Sequence, residues 1–305
     1  MKYRRFAPLD RDLSILVLGT AGYLNAPRDG SLELLDAWLD LGGNVVDTGR
    51  HYGNSETVVG RWLRERKLHE EVVVVTKGGH YDVQTGRQRV TERDLGADLA
   101  ASRRELGLES IDVYLLHRDD RTRPAGDILE DVEPFRRSGH VRVLGASNWT
   151  TERLEEAAAY ACANGVEPFA CSSPGLSLAV VNEEPWPGCV TIHEDAALAW
   201  YTRAGLPVLP WSSQAAGFFA GALPDEMRRA YVSDDNLERR RRARELASSK
   251  SCTPSQVALA WVLHQPFPVY AVIGPRSVPE LRESVGALEL ELSAEELSWL
   301  DLADG

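Results

Sequence analysis

Eight short apolar runs rich in β-branched residues recur along this chain, at 15–18, 44–47, 72–76, 111–116, 141–146, 168–172, 207–210 and 269–273. Their starts lie about 30 to 40 residues apart, with a last interval of about 60, the spacing of repeated strand-plus-helix units. Between them the chain turns to helical periodicity, as at 31–39, where SLELLDAWL places apolar residues three and four apart. Thr91 and Thr150 read as helix N-caps with acids in the following turn, and Gly107 as the residue that closes a helix. Strands that alternate with helices imply a parallel sheet. Eight such units joined by right-handed crossovers close into a (β/α)8 TIM barrel, and 305 residues with 43% hydrophobic content suit one such domain over 1–305.

Three stretches stand outside the repeat. The segment 175–190, with Pro185, Trp186, Pro187 and Gly188, is expected to be a long loop after the sixth strand, and 214–236 another after the seventh, both placed to cover the barrel mouth. At the carboxyl end, Ser293 followed three residues later by Glu296 is a capping box that starts an extra helix against the barrel exterior.

The chemistry is expected on the loops that follow the strands, because that face of a barrel carries the active site. Three consecutive strands each end in an ionisable residue: Asp47, Lys77 and His117, with Tyr52 on the Gly-containing loop after Asp47. Singly, each has an ordinary role as a turn former, a solvated strand end or a hydrogen-bonded structural group. Together they form a recognisable set. A carbonyl that accepts hydride develops negative charge on oxygen, so it needs a proton donor and nearby positive charge. Tyr52 is the donor, Lys77 the cation that draws its pKa down toward neutrality, Asp47 the partner that holds Lys77, and His117 a second hydrogen-bond donor to the carbonyl oxygen.

The block 47–56, DTGRHYGNSE, resembles the DTAxxYGxSE segment of the aldo-keto reductases with Gly49 in place of the usual Ala, and GASNW at 145–149 resembles their GxSN segment. The likeness runs over nearly the whole chain and implies a nicotinamide cofactor, since no side chain can donate hydride. It implies that Ser147 and Asn148 bind the nicotinamide carboxamide, that Trp211 stacks on its ring, and that Gly19 and Thr20 join the cofactor set. Two positions depart from the family pattern: Ser173 stands where a Gln usually contacts the amide, and Ser284 where an Asn lies near the adenine.

Phosphate is expected between Ser212 and Ser213 on one side and Gly274, Arg276 and Ser277 at a helix start on the other. Arg276 suits the 2′-phosphate of NADP, whereas Glu280 would suit the free hydroxyl of NAD, so NADP is the first expectation and NAD the second. No GxGxxG follows a strand, which gives no support to a doubly wound cofactor domain. Tyr23, His51, Trp149 and Trp186 are expected to line the substrate mouth, whose mixed aromatic and polar character suits an aldehyde, ketone or sugar.

A net charge of −12 argues against nucleic acid and anionic membranes as partners, and the chain has no run of eighteen uncharged apolar residues. The start of the chain is basic but lacks the apolar run of a signal peptide, and Cys162, Cys171, Cys189 and Cys252 show neither CxxC spacing nor a neighbouring histidine cluster. These features point to a cytoplasmic protein with a small-molecule partner and no metal or disulfide. Nothing in the chain selects an oligomeric state. Two other readings stay open at this point: a nicotinamide-binding regulatory or scaffold subunit that keeps the barrel, and a metal-dependent barrel enzyme using Asp47 and His117, which would leave Tyr52 and Lys77 without a role.

Overall fold

The computed structural model describes residues 1–22 and 31–303. It opens with an antiparallel hairpin, β1 (Tyr3–Phe6) and β2 (Arg11–Ser14), paired from Tyr3↔Ser14 to Phe6↔Arg11. The sequence reading gave this segment no structure. Its charged residues hide the single feature that matters, which is that Phe6, Leu9 and Leu13 point together into the barrel.

The barrel strands follow as β3 (Leu16–Gly19), β4 (Val45–Asp47), β5 (Val73–Gly78), β6 (Ile111–Leu116), β7 (Val141–Ser147), β8 (Ser172–Ser173) and β9 (Ala271–Ile273). They form a parallel sheet in the order β8-β7-β6-β5-β4-β3-β9. Val208 joins the two edges through parallel bridges to Ser172 and Val269, which closes the curled sheet into a barrel. The seventh expected strand is thus reduced to bridging contacts. Pro207 and Pro210 flank it, and a residue without an N–H cannot extend a ladder.

Side chains alternate across each strand, so the continuous valine run of β5 serves two cores. Val73 and Val75 face the interior with Val17, Val45, Val113, Leu115, Val143 and Leu209, closed below by the hairpin and Tyr270. Val72 and Val74 face outward to the helical layer, where Trp38, Trp62 and Leu63 pack.

The helices are α1 (Ser31–Asp40), α2 (Ser55–Arg66), α3 (Glu92–Leu106), α4 (Ala125–Arg137), α5 (Thr151–Asn164), α6 (Asp195–Ala204), α7 (Arg228–Tyr231), α8 (Asp234–Lys250), α9 (Pro254–Leu263), α10 (Val278–Gly286) and α11 (Ala294–Leu300). Thr91 and Thr150 cap α3 and α5 by accepting from Asp94 and Arg153 backbone N–H groups, and Gly107 ends α3 at φ 71°. Ser293 and Glu296 form the capping box of α11, which Glu296 ties to α8 through Lys250 at 2.9 Å.

The expected loop 214–236 is largely helical turns: Ala215–Gly217, Asp225–Met227, α7 and the start of α8. Its polar, Gly-containing sequence hid them because each is one turn long. This segment clasps the 175–190 loop. The buried Asn236 amide accepts from Val180 N at 2.9 Å and donates to Val180 O at 2.6 Å, while Arg229 donates to the carbonyls of Glu184 and Pro185, each at 2.7 Å. The long interval before β9 holds this clasp together with α8 and α9.

Candidate active site

The loop after β4 is fixed before any catalytic group is considered. Thr48 N–H donates to Val75 O at 2.8 Å, Arg50 N–H to Lys77 O at 2.9 Å and Tyr52 N–H to Gly49 O at 2.9 Å. Beneath it, fully buried Glu56 accepts from Thr76 Oγ1 and Arg50, both at 2.6 Å, and Arg50 also meets Glu105 at 2.9 Å. This explains why the acid at the end of the DTGRHYGNSE block belongs there: it locks the loop to the strand that carries Lys77.

On that support Lys77 Nζ donates to both oxygens of Asp47, at 2.6 and 2.5 Å, and to Thr48 O at 2.9 Å. It lies 5.1 Å from the centre of the Tyr52 ring. Burial works against the Lys77 charge, but Asp47 and then Tyr52 outweigh it, so the ammonium is held above its ordinary pKa. Tyr52 is half-buried. That burial raises the Tyr52 pKa further than Lys77 lowers it, so its net shift is upward. Lys77 does pull the Tyr52 pKa down, the direction expected of it, but burial outweighs that pull and the phenol is held protonated.

His117 meets the Tyr52 ring edge to face at 5.5 Å. Burial first, then Arg118 and Lys77, push its pKa well down, leaving a neutral imidazole. Its Nδ1 is buried with no hydrogen-bond partner among the described residues. Two residues that the sequence reading passed over sit beside it. His80, after β5, stacks on His51 at 3.7 Å with the rings 1° from parallel, and burial lowers its pKa to about 4. Arg118 is buried next to His117. Each could have been found by its place: both lie just past a strand end that already carries a catalytic candidate.

Of the expected cofactor residues, Asn148 has φ +61° and a fully used amide. It donates to His117 O and Ser147 Oγ and accepts from Val190 N–H and Trp211 Nε1, all at 3.1 Å. It therefore ties His117, Trp211 and the 175–190 loop together, and Thr150 rather than Asn148 caps α5. Ser147 Oγ donates to Ser173 O at 2.8 Å and Ser173 Oγ to Leu209 O at 2.7 Å. Trp211 is half-buried over Gly175, where an added Cβ would come within 2.7 Å of the indole. Gly19 ends β3 against Val272, and the Thr20 hydroxyl is buried without a partner among the described residues.

At the other end, Ser212 is left-handed at φ +53° and Ser213 Oγ donates to Val272 O at 2.6 Å. Gly274 and Arg276 are exposed, and Ser277 caps α10. Glu280 accepts from Arg276 N–H at 2.7 Å, and its carboxylate lies 3.9 Å from the Arg276 guanidinium. Buried Ser284 donates to Glu280 O at 3.0 Å and meets the Gln214 amide at 3.2 Å.

The substrate set divides. His51 is exposed beside His80, and Trp186 is exposed and meets Trp211 edge to face at 6.2 Å. Trp149 is fully buried, bonded to Arg118 O and covered by Arg153, so it presents no surface to a ligand. Its position just after the loop residue Asn148 suggested exposure, but the indole folds back toward Phe169. Tyr23 lies outside the described residues. Among the described residues no group of three or more His, Cys, Asp or Glu side chains is placed to hold a metal, the four cysteines are free, and no helix is long and apolar enough to cross a membrane.

Residues 15–304 match the family model described as the aldo/keto reductase family. The chain is 28% identical to norsolorinic acid reductase of Aspergillus flavus over 96% of this chain and 78% of that protein. It is 27% identical to versiconal hemiacetal acetate reductase of Aspergillus parasiticus over 99% of this chain and 96% of that one. An aldo/keto reductase from Klebsiella pneumoniae, solved in complex with NADP and acetate, superimposes with a TM-score of 0.76 at 25% identity, covering 99% of this chain and 95% of its own.

Proposed function

This chain belongs to the aldo/keto reductase family and is an oxidoreductase, and on that premise we propose that it reduces the carbonyl of a small aldehyde or ketone with NADPH, Tyr52 giving the proton. The observation that carries this reading is the buried Asp47–Lys77 pair set against Tyr52 and His117 on one rim. NADPH supplies the hydride when bound. Trp211, the unpartnered Thr20 hydroxyl and the turn at 274–277 are the features that fit it, an aromatic platform and polar groups with capacity to spare.

The residues divide the remaining work. Tyr52, kept protonated by burial, donates to the oxygen as charge develops there. Lys77 stabilises the tyrosinate left behind and stays charged because Asp47 holds it. Neutral His117 orients the carbonyl as a hydrogen-bond partner and does not compete for the proton. The exposed rings of His51 and Trp186 offer flat surfaces, which favours a planar aromatic carbonyl over a sugar. The four free thiols suit a reducing compartment, and we place the protein in the cytoplasm.

The test is titration of the protein with NADPH and NADH through its tryptophan fluorescence, followed by addition of aldehydes and ketones while cofactor absorbance is read. Tighter NADPH binding with carbonyl-dependent oxidation is the expected result. Cofactor binding with no turnover across the panel would replace this reading with a regulatory subunit.

A further inference from the structure

Arg118 is a charge that the proposed reaction does not explain. It follows His117 directly and is 6% exposed. Its Nε donates to Pro187 O at 3.2 Å and Nη1 to His117 O at 2.9 Å, and the guanidinium lies 5.8 Å from the centre of the Tyr81 ring. Gly188 packs beside it at φ +73°, where an added Cβ would lie in ordinary contact with Arg118 Cδ at 3.4 Å.

No carboxylate among the described residues ion-pairs with it. The next residue, Asp119, turns away to Arg153, with contacts of 2.9 and 3.0 Å. Asp47 is committed to Lys77, and Glu184 on the facing loop accepts from Gly188 N–H at 3.1 Å. The Nη2 group has no acceptor among the described residues, yet it is not sealed from solvent. A guanidinium held nearly out of water without an acid is unfavourable unless something else compensates it. Among the described residues around it, His51, His80 and His117 are neutral, Lys77 with Asp47 sums to zero, and Glu184 stays on the Gly188 N–H without reaching the guanidinium.

Taking the reductase reading as its basis, we propose that Arg118 is the anion-recognising residue of the substrate pocket, and that the preferred substrates are aromatic carbonyl compounds bearing a carboxylate. Nη2, the guanidinium nitrogen with no acceptor among the described residues, offers charge-assisted N–H donors to a carboxylate. The exposed His51 ring and the half-buried Tyr81 ring, both packed on buried His80, lie beside it to take the aromatic body, and Arg118 follows His117 directly, so one molecule can address both with its carboxylate and its carbonyl.

The experiment compares kcat/KM for 4-carboxybenzaldehyde and its near-isosteric neutral amide, 4-formylbenzamide, in wild type, R118K and R118M, with circular dichroism to establish that each variant is folded. Wild type should prefer the carboxylate by about tenfold or more, the size of a charge-assisted contact. R118K should keep part of the preference, because it keeps the charge and loses the fork, and R118M should lose it. The same ratio in wild type and R118M, or a wild-type preference for the amide, overturns the proposal.

A second readout is independent of turnover: quenching of tryptophan fluorescence by benzoate against benzamide with NADP+ present. Wild type should discriminate between them and R118M should not. Discrimination without reduction of any carbonyl would overturn the reductase reading and leave the anion site standing. Reduction of neutral carbonyls without discrimination in either assay would do the reverse.

Discussion

The rim built by the loop after β4 and the turn at 274–284 both gather polar residues at the carboxyl ends of strands, but they are built in opposite ways. In the first, Asp47, Lys77, His117 and Glu56 are buried and each charge has a fixed partner or is neutralised. In the second, Arg276 is exposed and Glu280 half-buried, and the polar groups are spent on capping and crossing α10. The difference follows from what each region is proposed to do. A proton transfer needs donors preorganised in a low dielectric, where small displacements are costly. A cofactor that must leave after each turnover needs contacts that are individually weak.

The largest effect that would break this comparison is at the buried end. Tyr52→Phe keeps the ring and removes the proton donor, so kcat for reduction should fall about 10²- to 10⁴-fold while NADPH affinity, read by fluorescence, changes little. Retained turnover would mean the fixed rim is not the chemical centre. Next, Glu56→Gln removes one of the two carboxylates on half-buried Arg50 and leaves Glu105 as its partner. It should cost about 1.5 kcal/mol in urea unfolding, the size of a charged hydrogen bond, and also lower kcat, because the same residue anchors the strand end of Lys77. A surface-sized loss would show that the loop is held by its backbone alone.

A smaller effect comes from protons. His80 titrates near 4 in the fold against an ordinary 6.5, so between those values the unfolded chain binds the extra proton. Its contribution is complete above pH 6.5 and is lost as pH falls toward 4. Thermal unfolding of His80→Gln should show a shallower decline over that window than wild type, and parallel curves would remove His80 as a cause. The smallest effect belongs to the exposed region: Arg276→Ala should weaken NADPH by about fivefold or less, given solvent screening and the nearby Glu280, and leave NADH unchanged. A hundredfold loss, or an equal loss for both cofactors, would erase the contrast between the two regions.

Much of this was legible in the sequence because it depends on spacing. The strands β3 to β7 lie where apolar runs predict them, since a strand buried on both faces has little freedom in composition. The caps at Thr91, Thr150 and Ser293 are local chemistry, decided within four residues. The seventh strand and the 214–236 segment were misjudged because single bridges and one-turn helices leave no periodicity. Trp149 shows the same limit for a side chain: its neighbours in sequence point to the mouth, and its rotamer sends it inward.

The sequence by itself determined the barrel, the caps and which four residue types arrive at consecutive strand ends, because periodicity and strand termini are properties of the chain alone. Only the tertiary structure decided the charge states and partners of those residues. Burial keeps Tyr52 protonated and His117 neutral, the Asn148 amide is consumed by four protein contacts, and Arg118 ion-pairs with no acid among the described residues. Desolvation and hydrogen-bond partnership depend on what packs around a group from distant parts of the chain, and no local pattern encodes that.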